Sequence, residues 1–136
     1  MVKVDQCEVR EGLYYTKDFG WVKVEGERVR VGITDHAQKL LKEIVRAELP
    51  SPGTKVKQND QCGIVESVLA MAYLVAPVSG TVDQVNSRIQ SEPELLNEDP
   101  YVRGWLLTMK PSNLKAELTN LMNFQKAVEW HKSWQK

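Results

Sequence analysis

Apolar and charged residues alternate along Trp21-Val22-Lys23-Val24-Glu25 and again along Arg28-Val29-Arg30-Val31-Gly32-Ile33. A period of two marks a strand with one buried face, and Gly26-Glu27 between the runs makes the pair a hairpin. Two shorter runs, Cys7-Glu8-Val9 and Leu13-Tyr14-Tyr15, predict edge strands around Glu11-Gly12, and Lys17 to Gly20 predicts a turn. After Ile33 the period changes. Ala37, Leu40, Leu41 and Ile44 fall at helical spacing behind Thr34 or Asp35, and Asp35 with Gln38 three residues on has the form of a capping box. The helix is expected to stop near Lys42, because residues 44–49 read as a strand before the break Pro50-Ser51-Pro52-Gly53.

The second half is richer in strands. Lys55 to Lys57 precedes a turn at Asn59-Asp60. Residues 63–77, GIVESVLAMAYLVAP, hold two apolar runs parted by small or polar residues, which predicts a hairpin with its tip at Val68 to Ala70. Gly80 turns the chain into a strand over Thr81 to Val85. A short helix is expected within 91–97, starting about Pro93 after a Ser91 or Glu92 cap. A strand over 101–110 would centre on Trp105-Leu106-Leu107. Pro111-Ser112 opens a last helix, residues 112–136, with Leu114, Leu118, Leu121, Met122 and Val128 on one face. Trp130 and Trp134 lie four apart, placed either to staple that helix to the sheet, the more common use of such a pair, or to offer a sticky surface. Strands dominate the middle, as in a small sandwich or barrel.

Composition narrows the function. The 136 residues suit one domain, and 18 basic against 18 acidic side chains leave no net charge to favour nucleic acid or an anionic membrane. No apolar run approaches the roughly 20 residues of a membrane helix. The opening MVKVDQCEVREG lacks the apolar centre of a secretory signal. The two cysteines, Cys7 and Cys62, match no metal or redox motif, so free thiols in a reducing cytoplasm are expected.

The hairpin stretch GIVESVLAMAYLVAPVSGTV resembles the swinging-arm hairpin of the glycine cleavage system H-protein family, which are lipoyl carriers. So do YYTKDFGWVKVEGERVRVGITDHAQKLL, ELPSPGTKV, APVSGTVDQVN and PELLNEDPYVRGWLLTMKPS, so the resemblance covers about residues 13–121. It implies a mainly β fold: a lipoyl/biotinyl-type β-sandwich with short flanking helices and a C-terminal helix. It also implies a non-catalytic role. The arm of such a protein visits a glycine decarboxylase, an aminomethyltransferase and dihydrolipoamide dehydrogenase, and the loaded arm rests in a cleft of the carrier between visits.

The resemblance fails at the residue that matters most for cargo. The family's lipoyl lysine lies three residues after a glutamate and seven before the alanine of Ala-Pro. With Glu66 and Ala76 as those marks, the lysine position is Leu69. Lipoate joins lysine through an amide, and leucine has no nitrogen to acylate. Between Lys57 and Lys110 the chain has no lysine. The cleft departs too. Gly20 stands where the family has a glutamate, Phe19 where it has a histidine, and Tyr73 where it has an aspartate, while His36 of GITDHAQ is kept. A cationic amine in a partly dry cleft needs an anion beside it.

No cofactor is therefore expected, and lipoate would need a non-standard site. Glu66, Val68, Leu69, Ala70 and Met71 form the expected partner-binding surface, toward glycine cleavage enzymes or a lipoate-attachment enzyme. A working carrier with its cargo elsewhere is the alternative, with Cys62 the thiol to consider. A catalyst is disfavoured, since His36 and His131 lie far apart in the chain and no nucleophile elbow or phosphate loop accompanies them. A biotinyl domain, with its lysine between two methionines, is disfavoured by the same missing amine.

Overall fold

Eleven short strands run through the computed structural model, which describes residues 2–4 and 6–133. The N-terminal half holds β1 (Val2–Val4), β2 (Cys7–Val9), β3 (Tyr14–Tyr15), β4 (Gly20–Glu25), β5 (Arg28–Ile33), α1 (Asp35–Leu41) and β6 (Ile44–Glu48). Then follow β7 (Lys55–Val56), β8 (Gln61–Ser67), β9 (Met71–Val75), β10 (Gly80–Val85), α2 (Arg88–Ser91), α3 (Leu95–Glu98), β11 (Leu107–Pro111), α4 (Leu114–Glu117) and α5 (Phe124–Lys132). The described strands form a six-stranded sheet in the order β3-β4-β5-β11-β10-β7, a three-stranded sheet β6-β8-β9, and a ribbon β1-β2.

The two larger sheets enclose the main core. Val22, Val29 and Val31 come from one, Ile44, Val65 and Leu74 from the other, and Ile89 and Leu96 from the short helices close it. Each such side chain stabilises the fold by about 1.5–3 kcal/mol relative to an exposed position. A second cluster lies on the outer face of β4. Trp21 packs there with Val4, Val9, Tyr15, Tyr101 and Ala127, and its indole N–H donates to the Pro100 carbonyl at 3.1 Å. Both faces of β4 are thus covered, so Trp21 and Val22 are buried in succession and the strict alternation breaks.

Several expectations need correction. The first edge strand, β2, pairs with β1 in a ribbon that the sequence pattern did not show. Thr34, not Asp35, caps α1, its hydroxyl accepting from the Ala37 N–H at 3.1 Å. The Asp35 carboxylate instead accepts from the Glu8 N–H and the Gln38 amide, tying α1 to β2. Leu40, assigned to the buried stripe of α1, is 56 % exposed. The single helix expected within 91–97 is two one-turn helices, α2 and α3, and the strand over 101–110 is confined to β11.

The last helix is broken. After α4 and a 3-10 turn at Leu118–Asn120, the chain extends through residues 121–123, where Met122 exchanges both backbone hydrogen bonds with Tyr15. Asn123 then caps α5, accepting from the Lys126 N–H. Extending Met122 to bridge the edge of β3 forces the break. Trp130 stacks on Phe19 with ring centroids 5.6 Å apart, whereas Trp134 lies outside the described residues. His36 and His131, remote in sequence, meet edge to face at 5.9 Å.

Candidate functional site: the hairpin apex and its neighbouring cleft

β8 and β9 pair antiparallel with Glu66 opposite Met71, leaving Val68, Leu69 and Ala70 as the loop. Ser67 closes it. Its N–H donates to the Ala70 carbonyl at 2.8 Å, and its hydroxyl oxygen accepts from the N–H groups of Leu69 at 3.2 Å and Ala70 at 3.1 Å. The Val68 N–H donates to Glu43 O at 3.0 Å, anchoring the tip to the α1–β6 connection. Every backbone N–H of the loop therefore has an acceptor, and none of these bonds involves the side chain of residue 69. That side chain projects into solvent, 67 % exposed, with Val68 at 60 % and Met71 at 51 %.

Glu66 sits on the outer face of the sheet. Its carboxylate accepts from the Arg46 guanidinium at 2.9 Å, and Arg46 also reaches Glu48 at 2.5 Å. The two carboxylates push the Arg46 pKa up from an already high value, the Glu66 bond first. The charge of Glu66 is thus held in an exposed network beside the apolar tip.

A cavity of about 180 Å³ lies next to the hairpin. Ile33, Ala37, Leu41, Val65 and Leu74 wall it, and the exposed Leu40 and Tyr73 stand among its lining. The remaining side is the β3–β4 turn, with Asp18, Phe19 and Gly20. β9 is the last strand of its sheet and borders this cavity. Of the three cleft residues singled out in the sequence, Gly20 and Tyr73 line the cavity. His36 is not in the lining; its ring faces Phe19 at 5.4 Å and its Nδ1 lies 3.4 Å from Cys7 Sγ.

Two residues of this region escaped the sequence reading. Ser67 is one, although a serine at the end of a strand before a short loop is an ordinary turn signal. Asp18 is the other, a carboxylate two positions from Gly20 that lines the same cavity. Cys62 is half-buried, and burial, with Asp60 adding, pushes its thiol up to about 11, far from the reactive range. Cys62 is a free thiol. Among the described residues no group of three His, Cys, Asp or Glu side chains is placed to hold a metal ion, and no helix is long and apolar enough to cross a membrane.

Comparison with known proteins places this geometry. Residues 13–134 match the glycine cleavage H-protein family. The chain is 47 % identical to a probable glycine cleavage system H protein of Pyrococcus abyssi over 134 residues, covering 98 % of this chain and 99 % of that one. It is 49 % identical to the glycine cleavage system H protein of Geobacillus kaustophilus over 110 residues, 81 % of this chain and 86 % of that one. Among solved structures, the glycine cleavage system H protein of Mycobacterium marinum superposes with a TM-score of 0.74 at 34 % identity, covering 76 % of this chain and 87 % of that one.

Proposed function

The chain belongs to the glycine cleavage H-protein family, and from that premise we propose that it is an armless member which acts by docking. The family's members are lipoyl carriers, not catalysts, and the glycine cleavage enzymes are the partners that membership implies. One observation carries the finer reading. The apex that resembles the family's acceptor position holds Leu69, 67 % exposed and without a nitrogen to acylate. The scaffold that would present a lysine is intact around it.

Docking follows from what the apex retains. Val68, Leu69, Ala70 and Met71 form an apolar knob beside the carboxylate of Glu66, suited to the mouth of an active site built for an apolar arm. The partner is an enzyme of glycine cleavage or one that attaches lipoate, in a cytoplasmic setting, and no cofactor is bound at residue 69. Lipoate at another site is the competing reading, and the suppressed Cys62 thiol speaks against that residue as its attachment point.

Intact-mass measurement of the protein isolated from its own cells tests the reading. The expected mass is that of the bare chain. A lipoyl adduct would falsify the armless assignment. Co-purification then tests docking: wild type should retain the partner enzyme and Leu69→Glu should lose it.

A further inference from the structure

The outer face of the six-stranded sheet carries more positive charge than it balances. Val29, Val31 and Met109 belong to the main core, so the residues that alternate with them face outward. The pairing register sets those residues in two rows across the strands. Lys55 and Lys110 flank Thr81 in one, and Thr108, Arg30 and Lys23 pair in succession in the other. Arg28 joins the first row from β5, since it and Lys110 both reach Asp83, at 2.7 and 3.9 Å. Asp83 can serve both because it is the extra residue of a bulge in β10. Arg30 and Lys23 likewise share Glu25, at 3.0 and 3.7 Å. Lys55 has no ion-pair partner among the described residues. Five cations thus meet two carboxylates, with Glu27 set in the turn beyond the strands. Because the chain has no net charge, the rest of its surface holds the matching negative excess.

We propose that this face binds an acidic segment of a protein partner, with Lys55, Thr81 and Lys110 at its centre. Thr81 sets a hydroxyl between two ammonium groups, a row of donors that fits carboxylates. Lys55 and Thr81 open onto a polar groove that Lys57, Ser112 and Asn113 also line. The carboxylate of that groove, Glu117, is already held by the Ser79 N–H and hydroxyl at 2.7 and 2.6 Å. An edge lysine also guards β7 against strand pairing, which accounts for Lys55 and leaves the four cations of the interior strands. From β7 to β4 the face spans four strand spacings, about 19 Å, and alternate side chains of an extended segment lie about 7 Å apart, so about three carboxylates cover it. The attraction is local, reaching about 8 Å at physiological salt. A long polyanion would meet the negative excess of the other surfaces, whereas a short acidic segment does not. The hairpin that carries the apex belongs to the other sheet, across the core. A partner on this face therefore leaves Leu69 clear, the chain can join two proteins, and the inference does not rest on docking at the apex.

Fluorescence anisotropy of a labelled glutamate homopeptide of about ten residues, titrated with the full chain, measures the contact. Wild type should bind it with a Kd below about 1 mM in about 20 mM salt, and about tenfold more weakly in about 200 mM. Lys55→Glu combined with Lys110→Glu should weaken binding by about tenfold or more. Lys126→Glu combined with Lys132→Glu changes the net charge equally, on α5, and should leave binding within about twofold of wild type. Amide chemical shifts of wild type give a second reading that needs no variant: those of Lys55, Thr81 and Lys110 should move on adding peptide, and that of Leu69 should not. No detectable complex in low salt, equal losses in the two double variants, or shifts that spare Thr81 would overturn the proposal. So would tighter binding of an oligothymidylate of about ten nucleotides or of phosphatidylserine vesicles, which would assign the face to nucleic acid or to membrane.

Discussion

The Ser67 hydroxyl holds the N–H of Leu69 at 3.2 Å, so the position of residue 69 is set by its neighbour and not by its own side chain. A lysine placed there meets no new contact and inherits the same exposed position. Leu69→Lys should therefore become a substrate for a lipoate-attaching enzyme, gaining the mass of one lipoyl group while wild type gains nothing. Adding Ser67→Ala loosens the tip by about 1–2 kcal/mol and should slow acylation about tenfold. Intact mass over a time course reads both. If Leu69→Lys stays bare while a lysine-bearing family member is modified in the same tube, the apex is not presented as described.

Gly32 and Trp21 face each other across β4 and β5, and this contact leaves no room for a side chain. A Cβ at residue 32 would lie 2.5 Å from the indole ring. Trp21 cannot yield, being fully buried with its N–H bonded to Pro100. Gly32→Ala should cost about 3 kcal/mol. Urea denaturation followed by tryptophan fluorescence gives the number, and a loss below about 0.5 kcal/mol would show that the ring can move.

These two contacts mark what the sequence could and could not disclose. The β4–β5 hairpin and the apex at 68–70 were legible because alternation and turn chemistry are local. Leu40 was misplaced because helical spacing says which residues share a face, not whether another element covers it. The break at Met122 was invisible because its cause, pairing with Tyr15, comes from a segment more than 100 residues away in the chain. The same holds for the meeting of His36 with His131. At the site, the place of Leu69 in the loop of the hairpin was legible from the two apolar runs that flank it. The free edge of β9 and the approach of Asp18 to the cavity needed the topology.

Cys62 should be inert in the folded protein. With its thiol pushed up to about 11, about one molecule in a thousand is thiolate at pH 8, against roughly a quarter for a thiol at the usual 8.5. Iodoacetamide at pH 8 should leave Cys62 unmodified while the protein is folded and label it fully in denaturant. Peptide mass spectrometry separates it from Cys7, which is buried. Rapid native labelling of Cys62 would restore it as a candidate for carrying cargo.

His131 makes the C-terminal helix sensitive to acid. Its ring is 2 % exposed, enclosed by Tyr15, His36 and Trp130, with Nδ1 2.6 Å from Ala127 O. Burial lowers its pKa from the ordinary value near 6.5, and the Ala127 contact only partly opposes this. Since the unfolded chain takes up the proton more readily, stability is fully present above about 6.5 and is lost as pH falls toward the lowered folded value. His131→Leu keeps the apolar packing and removes the titration. Its unfolding free energy should vary less with pH across that window than that of wild type, measured by urea titrations at matched pH values. Parallel curves for the two proteins would assign the acid sensitivity to other groups. The first amides to exchange on acidification of wild type should be those of α5, because α5 carries the ring whose charging the packed cluster resists.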